Sequence, residues 1–237
     1  MEIIRQGGSF VVDALFPRFC FGCKKEGSLW CEMCDETWKP VPLEPACIFC
    51  GETGSLRTCA SCRAHTYLDG VSVYLPYGNP ILRQMIGVWK YHGDDSVEHI
   101  LKTWMVRAQD RLRPPMPMET VAAVPIHVSR FRSRGFDQAD HLAAWVGELY
   151  GIAAKPILER VIKTKPQAKT IHTDRCLGEM DGVFALHPSV KNIPESVLLC
   201  DDVFTSGATM DAAAKCLKES GVKMVWGFVL AKGDAGR

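Results

Sequence analysis

Four Cys-x-x-Cys pairs between residues 20 and 62 constrain this chain more than any other feature: Cys20/Cys23, Cys31/Cys34, Cys47/Cys50 and Cys59/Cys62. They use eight of its eleven cysteines. A two-residue gap lets both sulfurs of a pair face one ion from a tight turn, and two such turns complete a closed tetrahedral site of four sulfurs. Eight thiolates therefore suit two structural zinc ions, with no open position for a catalytic water. The spacers within the two halves are seven and eight residues, and the one between them is twelve. That favours sequential pairing, Cys20/Cys23/Cys31/Cys34 and Cys47/Cys50/Cys59/Cys62, over a cross-braced arrangement. The competing reading is a disulfide framework, which needs an oxidising compartment. The N-terminal stretch "MEIIRQGGSFVVDALFPRFC" offers no route to one: Asp13 interrupts its apolar run, Arg18 follows, and no small-residue cleavage site appears. It reads as an amphipathic lead-in helix, and the expected compartment is the cytoplasm.

A chain of 237 residues has room for one α/β domain and a small accessory module. A net charge of +1 gives no global reason to expect a nucleic-acid or membrane partner. No apolar stretch is long enough to span a bilayer, so no membrane insertion is expected. The expected division is residues 1–69 for the lead-in helix and the cysteine modules, and 70–237 for the body.

In the body, strand and helix patterns alternate. Strands are expected at 71–77, 121–127, 196–202 and 222–233, and helices within 79–93 and at 96–112, 137–151 and 209–221. Such alternation argues for a parallel sheet with helices on both faces. Its ligand site would lie at the carboxyl ends of the strands.

The segment "VLLCDDVFTSGAT" (197–209) occupies that place. Thr205, Ser206, Gly207, Ala208 and Thr209 bring backbone N–H groups, small side chains and hydroxyls to a helix N-terminus, which forms an anion cup. Two carboxylates beside a phosphate cup would repel the phosphate unless they hold another part of the same ligand. Ionised carboxylates are acceptors, and the vicinal hydroxyls of a ribose are donors. A ribose 5-phosphate unit satisfies the whole stretch, with its hydroxyls on Asp201 and Asp202. The plainer alternative is a strand, a capped turn and two solvated acids.

The same stretch resembles the phosphoribosyl pyrophosphate (PRPP) signature of type I phosphoribosyltransferases, an apolar run followed by Asp-Asp-x-x-Thr-[Ser/Thr]-Gly-x-Thr. Together with "WKYHGD" (89–94), "VPIHVSRFRSRGFDQADHLA" (124–143), "KTKPQAKTIHTDRCLGEMDGVFAL" (163–186) and the cysteine-rich head, it resembles the ComF/GntX (ComFC-like) family of bacterial proteins. The resemblance runs from about residue 15 to the end. It implies a double zinc ribbon joined to a parallel-sheet type I phosphoribosyltransferase fold, and an association with competence for DNA uptake.

The resemblance further implies that Mg2+-PRPP binds over residues 201–209, Val203 and Phe204 included. It implies that Pro125, Ile126 and His127 form a pyrophosphate loop, with Arg130, Arg132 and Arg134 nearby. Those arginines are otherwise a solvated basic turn. Lys90, and the loop carrying Arg160, Lys163, Lys165, Gln167 and Arg175, are further candidate anion contacts or else basic surface. Gln138 either positions a ligand or simply belongs to the first turn of its helix. No catalytic role is assigned to His92, His127 or His172.

Two functions follow. One is a phosphoribosyltransferase, in which diphosphate leaves C1 as a nucleophile attacks. The other is a non-catalytic protein of DNA uptake that holds PRPP or single-stranded DNA and meets other uptake proteins through its zinc ribbons.

Overall fold

A computed structural model describes residues 17–38, 43–92, 94–126, 131–132, 135–161 and 182–233. The lead-in segment, His127, Arg130 and Arg134 lie outside the described residues, as do His172 and most of the basic stretch after Arg160. Among the described residues, no helix is long and apolar enough to cross a membrane.

The body is a parallel sheet of four strands: β1 (Gly70–Pro76), β2 (Thr120–Ala123), β5 (Ser196–Phe204) and β6 (Met224–Lys232), in the order β1-β6-β5-β2. All three pairings are parallel. Four helices cover it: α3 (Pro80–His92), α4 (Asp95–Arg107), α6 (Gln138–Tyr150) and α7 (Ala208–Glu219). Successive strand residues point to opposite faces, and along β5 the burial follows that rule. Leu198 and Cys200 pack with residues of α3, α4 and α6, including Leu82, Trp89, Leu101 and Leu142. Val197 and Leu199 pack with Ala213, Ala214 and Leu217 of α7. The expected sheet with helices on both faces is therefore present.

Several boundaries differ from the expected ones for local reasons. β2 stops at Ala123 rather than running to 127, because Pro125 has no N–H to give the ladder. β5 runs two residues beyond the expected end, so Val203 and Phe204 pair with Ala231 and Lys232. The helix expected over 96–112 breaks at Ala108, where the Ala108 N–H closes back on the Met105 carbonyl (3.1 Å) and α5 (Gln109–Leu112) follows. A short antiparallel pair, β3 (Leu158–Arg160) with β4 (Phe184–Leu186), adds to the expected elements. It is three residues long on each side, too short to leave a periodic signal in the sequence.

The cysteine-rich head is one unit used twice. Bridges Phe19–Glu26 and Ala46–Thr53 correspond. So do the turns in which Lys24 N–H bonds Cys20 O (2.9 Å) and Gly51 N–H bonds Cys47 O (2.8 Å). The residue after each second cysteine is left-handed, Lys24 at φ 62° and Gly51 at φ 81°. Short helices α1 (Glu32–Thr37) and α2 (Ala60–Arg63) begin just after Cys31 and Cys59.

The two units dock on opposite faces of the sheet. In the first, Trp30 and Trp38 pack on Trp104 of α4, with centroids 4.9 and 4.0 Å away. Arg107 forks onto Asp35 at 2.8 and 2.7 Å, a bidentate geometry that fixes orientation as well as charge. In the second, Ile48 and Leu68 enter the α7-side core. Asp69 takes Lys218 at 2.7 Å and the Val225 N–H at 2.8 Å.

Unpaired edge strands invite association with other chains. Here the Val71 N–H of β1 bonds Leu56 O (3.0 Å), and the Val121 N–H of β2 bonds Ala153 O (3.0 Å). Both edges of the sheet are thus partly covered by the protein's own chain.

Candidate functional site: cysteine clusters and an acidic strand end

The four sulfurs of Cys20, Cys23, Cys31 and Cys34 lie within 4.8 Å of one another, and so do those of Cys47, Cys50, Cys59 and Cys62. This is the sequential grouping. The Cys23 and Cys31 sulfurs stand 3.6 Å apart in the first cluster, and those of Cys50 and Cys59 stand 3.5 Å apart in the second. A disulfide needs about 2.05 Å. A tetrahedron with ~2.3 Å metal–sulfur bonds puts its sulfurs about 3.8 Å apart. The donor sets therefore fit structural zinc.

The second site is built at the carboxyl end of β5. Asp201 and Asp202 occupy the strand, Thr205 is exposed in the turn, and Gly207 and Ala208 are buried where α7 begins. Gly207 takes φ 81°, and a Cβ there would lie 2.4 Å from Cζ of Phe204. Glycine is therefore demanded twice, by conformation and by space.

Neighbouring elements bring three more groups to the acids. Lys90, near the end of α3, places its Nζ 2.7 Å from Asp202 Oδ2. Gln138 is buried in the first turn of α6, and its Nε2 donates to the Lys90 carbonyl at 3.3 Å. Asp137 caps α6: its Oδ1 accepts from Ala139 N–H (2.9 Å) and its Oδ2 from Ile126 N–H (3.1 Å). One buried carboxylate thus starts a helix and anchors the segment just past β2, where Pro125 and Ile126 sit half-buried. Arg132 is exposed.

The acids crowd one another. Burial first, then the neighbouring Asp202 charge, pushes the Asp201 carboxyl up to about 8. The Asp202 N–H partly offsets this by donating to Asp201 Oδ1 at 2.8 Å. Burial likewise pushes Asp137 up to about 6, against the two N–H groups it accepts and with added repulsion from Asp140 and Asp202. Asp137 escapes a sequence reading because it looks like any N-cap. Its burial, and its approach to Asp202, come from packing.

Asp137 gives a testable pH signature. Its folded value lies above the ~3.9 of an unfolded chain, so the stability it contributes is fully present below that pH and is lost as pH rises through about 6. Between about pH 5.5 and about pH 7.5 the loss is about 1 kcal/mol. The Asp137→Asn protein, which cannot titrate there, should gain that much stability relative to wild type across the window. Urea unfolding at the two ends measures it, and a stability difference independent of pH would contradict it.

The chain resembles Streptococcus pneumoniae competence protein ComFC, at 25% identity over 88% of this chain and 90% of that one. It resembles Haemophilus influenzae competence protein F at 27% identity, over 85% and 90% of the two chains. A shorter match, to Bacillus subtilis ComFC, is 26% identical over 60% of this chain and 56% of the relative. Over most of its length the chain is thus similar to ComFC-type competence proteins. No protein-family model matches it. Among solved structures, the allosteric regulatory enzyme of purine biosynthesis aligns with a TM-score of 0.38 and 20% identity, over 56% of this chain and 26% of that one. The glutamine PRPP amidotransferase of B. subtilis aligns with the same TM-score at 19% identity and the same coverage. The chain thus spans about a quarter of the length of these two enzymes. The chain joins a parallel-sheet α/β body to a pair of four-cysteine modules.

Proposed function

We propose that residues 201–209 bind Mg2+-PRPP and that the protein is a phosphoribosyltransferase whose acceptor is a nucleobase, another nitrogen nucleophile or a group attached to DNA. The observation that carries this reading is the placement of Asp201 and Asp202 at the carboxyl end of β5, directly before the Gly207 turn that opens α7. The ribose hydroxyls donate to the two carboxyls, and the 5-phosphate takes the turn amides and the positive end of the α7 dipole. Pro125 and Ile126, on the neighbouring strand end, face the diphosphate, and the basic run 130–134 follows them in the sequence. The C1–O bond to diphosphate breaks as the nucleophile bonds to C1, and the diphosphate leaves with the electron pair. Mg2+, when bound, screens the diphosphate charge. The carboxylates of Asp201, Asp202 and Asp137 are the hard oxygen donors such an ion prefers. Lys90 balances Asp202 in the free protein and is a cation within reach of the arriving diphosphate. Zinc in the two four-cysteine modules is structural, and the body from residue 70 on forms the catalytic domain. We place the protein in the cytoplasm, serving DNA uptake.

Calorimetric titration with PRPP, with and without Mg2+, tests this. Saturable, magnesium-assisted binding near one per chain is expected, strengthening as pH rises through the Asp201 value near 8. Each hydrogen bond to a charged group contributes about 1.5–3 kcal/mol, so the Asp201→Asn/Asp202→Asn protein should bind at least ~100-fold more weakly. Equal affinity in that variant would refute the assignment. Absence of PRPP binding, with salt-sensitive binding of single-stranded DNA instead, would favour the non-catalytic alternative.

A further inference from the structure

The two four-cysteine modules look equivalent in sequence, yet among the described residues only the second reaches the β5–α7 turn. Its Phe49 ring stands edge-on to Phe204, with centroids 5.7 Å apart. Phe204 in turn fills the space beneath Gly207, where a Cβ would lie 2.4 Å from its Cζ. A second contact is independent of the rings. Thr66 Oγ1 and the Tyr67 N–H (2.7 Å) both donate to Oδ1 of Asp211, in the first turn of α7. The Asp211 N–H, for its part, closes on the Gly207 carbonyl at 2.8 Å. The turn is therefore braced from below by a ring and from the side by a carboxylate, and both braces end in residues 47–69. The first module makes no such contact among the described residues. Its tryptophans and Asp35 dock on α4, on the other face of the sheet.

We propose that Phe49, with Thr66, positions the anion-binding turn 205–209, so that the second four-cysteine module is a working part of the ligand site while the first is only a docking unit. The mechanism is restriction of motion. A phosphate held by backbone amides needs those amides already converged, and ordering them at the moment of binding would cost affinity. A metal-locked knuckle between Cys47 and Cys50 holds Phe49 within its own turn, since residues 48 and 49 are the two between the ligand pair. The rigidity that four thiolates give that turn passes through one ring contact to Phe204 and so to Gly207. This rests on the reading of 205–209 as a phosphate cup, but its central test does not require PRPP.

Hydrogen exchange of the metal-loaded protein, without ligand, provides that test. In Phe49→Ala the amides of residues 205–210 should exchange about tenfold faster, the change expected if the ring pair's ~1.4 kcal/mol is lost. Amides of β6 should keep their wild-type rates, and the metal content should stay at the wild-type value. Phe49→Leu, which restores apolar bulk, should recover much of the protection. Trp38→Ala, which removes a similar ring from the first module, should leave 205–210 untouched. Thr66→Val, which only deletes a hydroxyl, should loosen the same amides by the other route and serves if Phe49→Ala does not fold. Unchanged exchange at 205–210 in Phe49→Ala, or equal loosening in Trp38→Ala, would overturn the proposal. Where wild type binds PRPP, Phe49→Ala should bind it about tenfold more weakly. If wild type does not bind it, the PRPP reading fails while the exchange result still decides this one.

Discussion

Stripping the metal from both cysteine clusters is expected to unfold the head and to cost the body its solubility. A structural zinc held by four thiolates contributes an apparent ~10–16 kcal/mol of folding free energy, against roughly 5–15 kcal/mol for the net stability of a whole domain. The modules have little else to fold on: among the described residues from 17 to 62, those buried are Cys20, Cys34, Cys47, Ile48 and Thr58. The consequence spreads because the head shields the body. Without it, β1 loses the cover of Leu56, and Trp104 loses Trp30 and Trp38. An uncovered edge strand beside an exposed apolar patch favours aggregation. Elemental analysis of freshly reduced protein should give two zinc ions per chain, matching the two clusters. Chelation, or Cys→Ser exchange at Cys20 and Cys47, should abolish the cooperative thermal transition. Protein that is metal-free, reduced and unchanged in its melting would show that the thiols are merely close.

Gly70→Ala is the second change expected to be severe. A Cβ at Gly70 would lie 2.4 Å from both Cη2 and Cζ3 of Trp226 and 2.6 Å from the Leu56 carbonyl oxygen. None of these can retreat. Trp226 is fully buried in the central strand β6 with its Nε1 bonded to Ser72 Oγ at 3.0 Å, and Leu56 O receives the Val71 N–H. Overpacking a core costs typically 1–3 kcal/mol, and two rigid neighbours place this site at or above the top of that range. At ~2–4 °C per kcal/mol for a chain of this size, Tm should fall by about 10 °C. The damage should also loosen the junction at which residues 56–58 meet β1. A fall in Tm of only a degree or two would show that the indole yields, and that this junction is softer than its distances imply.

The cysteine clusters and the local form of the candidate ligand site were legible in the sequence, because both are written in short spacings. A two-residue gap between cysteines sets a knuckle wherever it occurs, and the spacers of seven and eight residues already favoured the sequential grouping that the sulfurs adopt. An apolar run, two acids, a Gly turn and a helix follow one another in the chain, so strand, turn and helix could be placed to within a few residues. Boundaries failed where one residue's partner lay elsewhere. Pro125 ended β2 early, and pairing with β6 carried β5 on through Val203 and Phe204.

What only the tertiary structure decided is which distant side chains meet. Lys90 was legible as a cation, but its contact with Asp202 exists because α3 and β5 pack across one core. Asp137 was legible as the start of a helix, but its burial beside the strand-end acids, which pushes its carboxyl up to about 6, is a property of the assembled sheet. The two cysteine modules repeat one turn almost bond for bond, yet one leans on α4 and the other on α7. Local spacing sets a turn through bonds a few residues long. Docking is set by apolar surface and charge contributed from far along the chain, and so it appears only when the whole chain has folded.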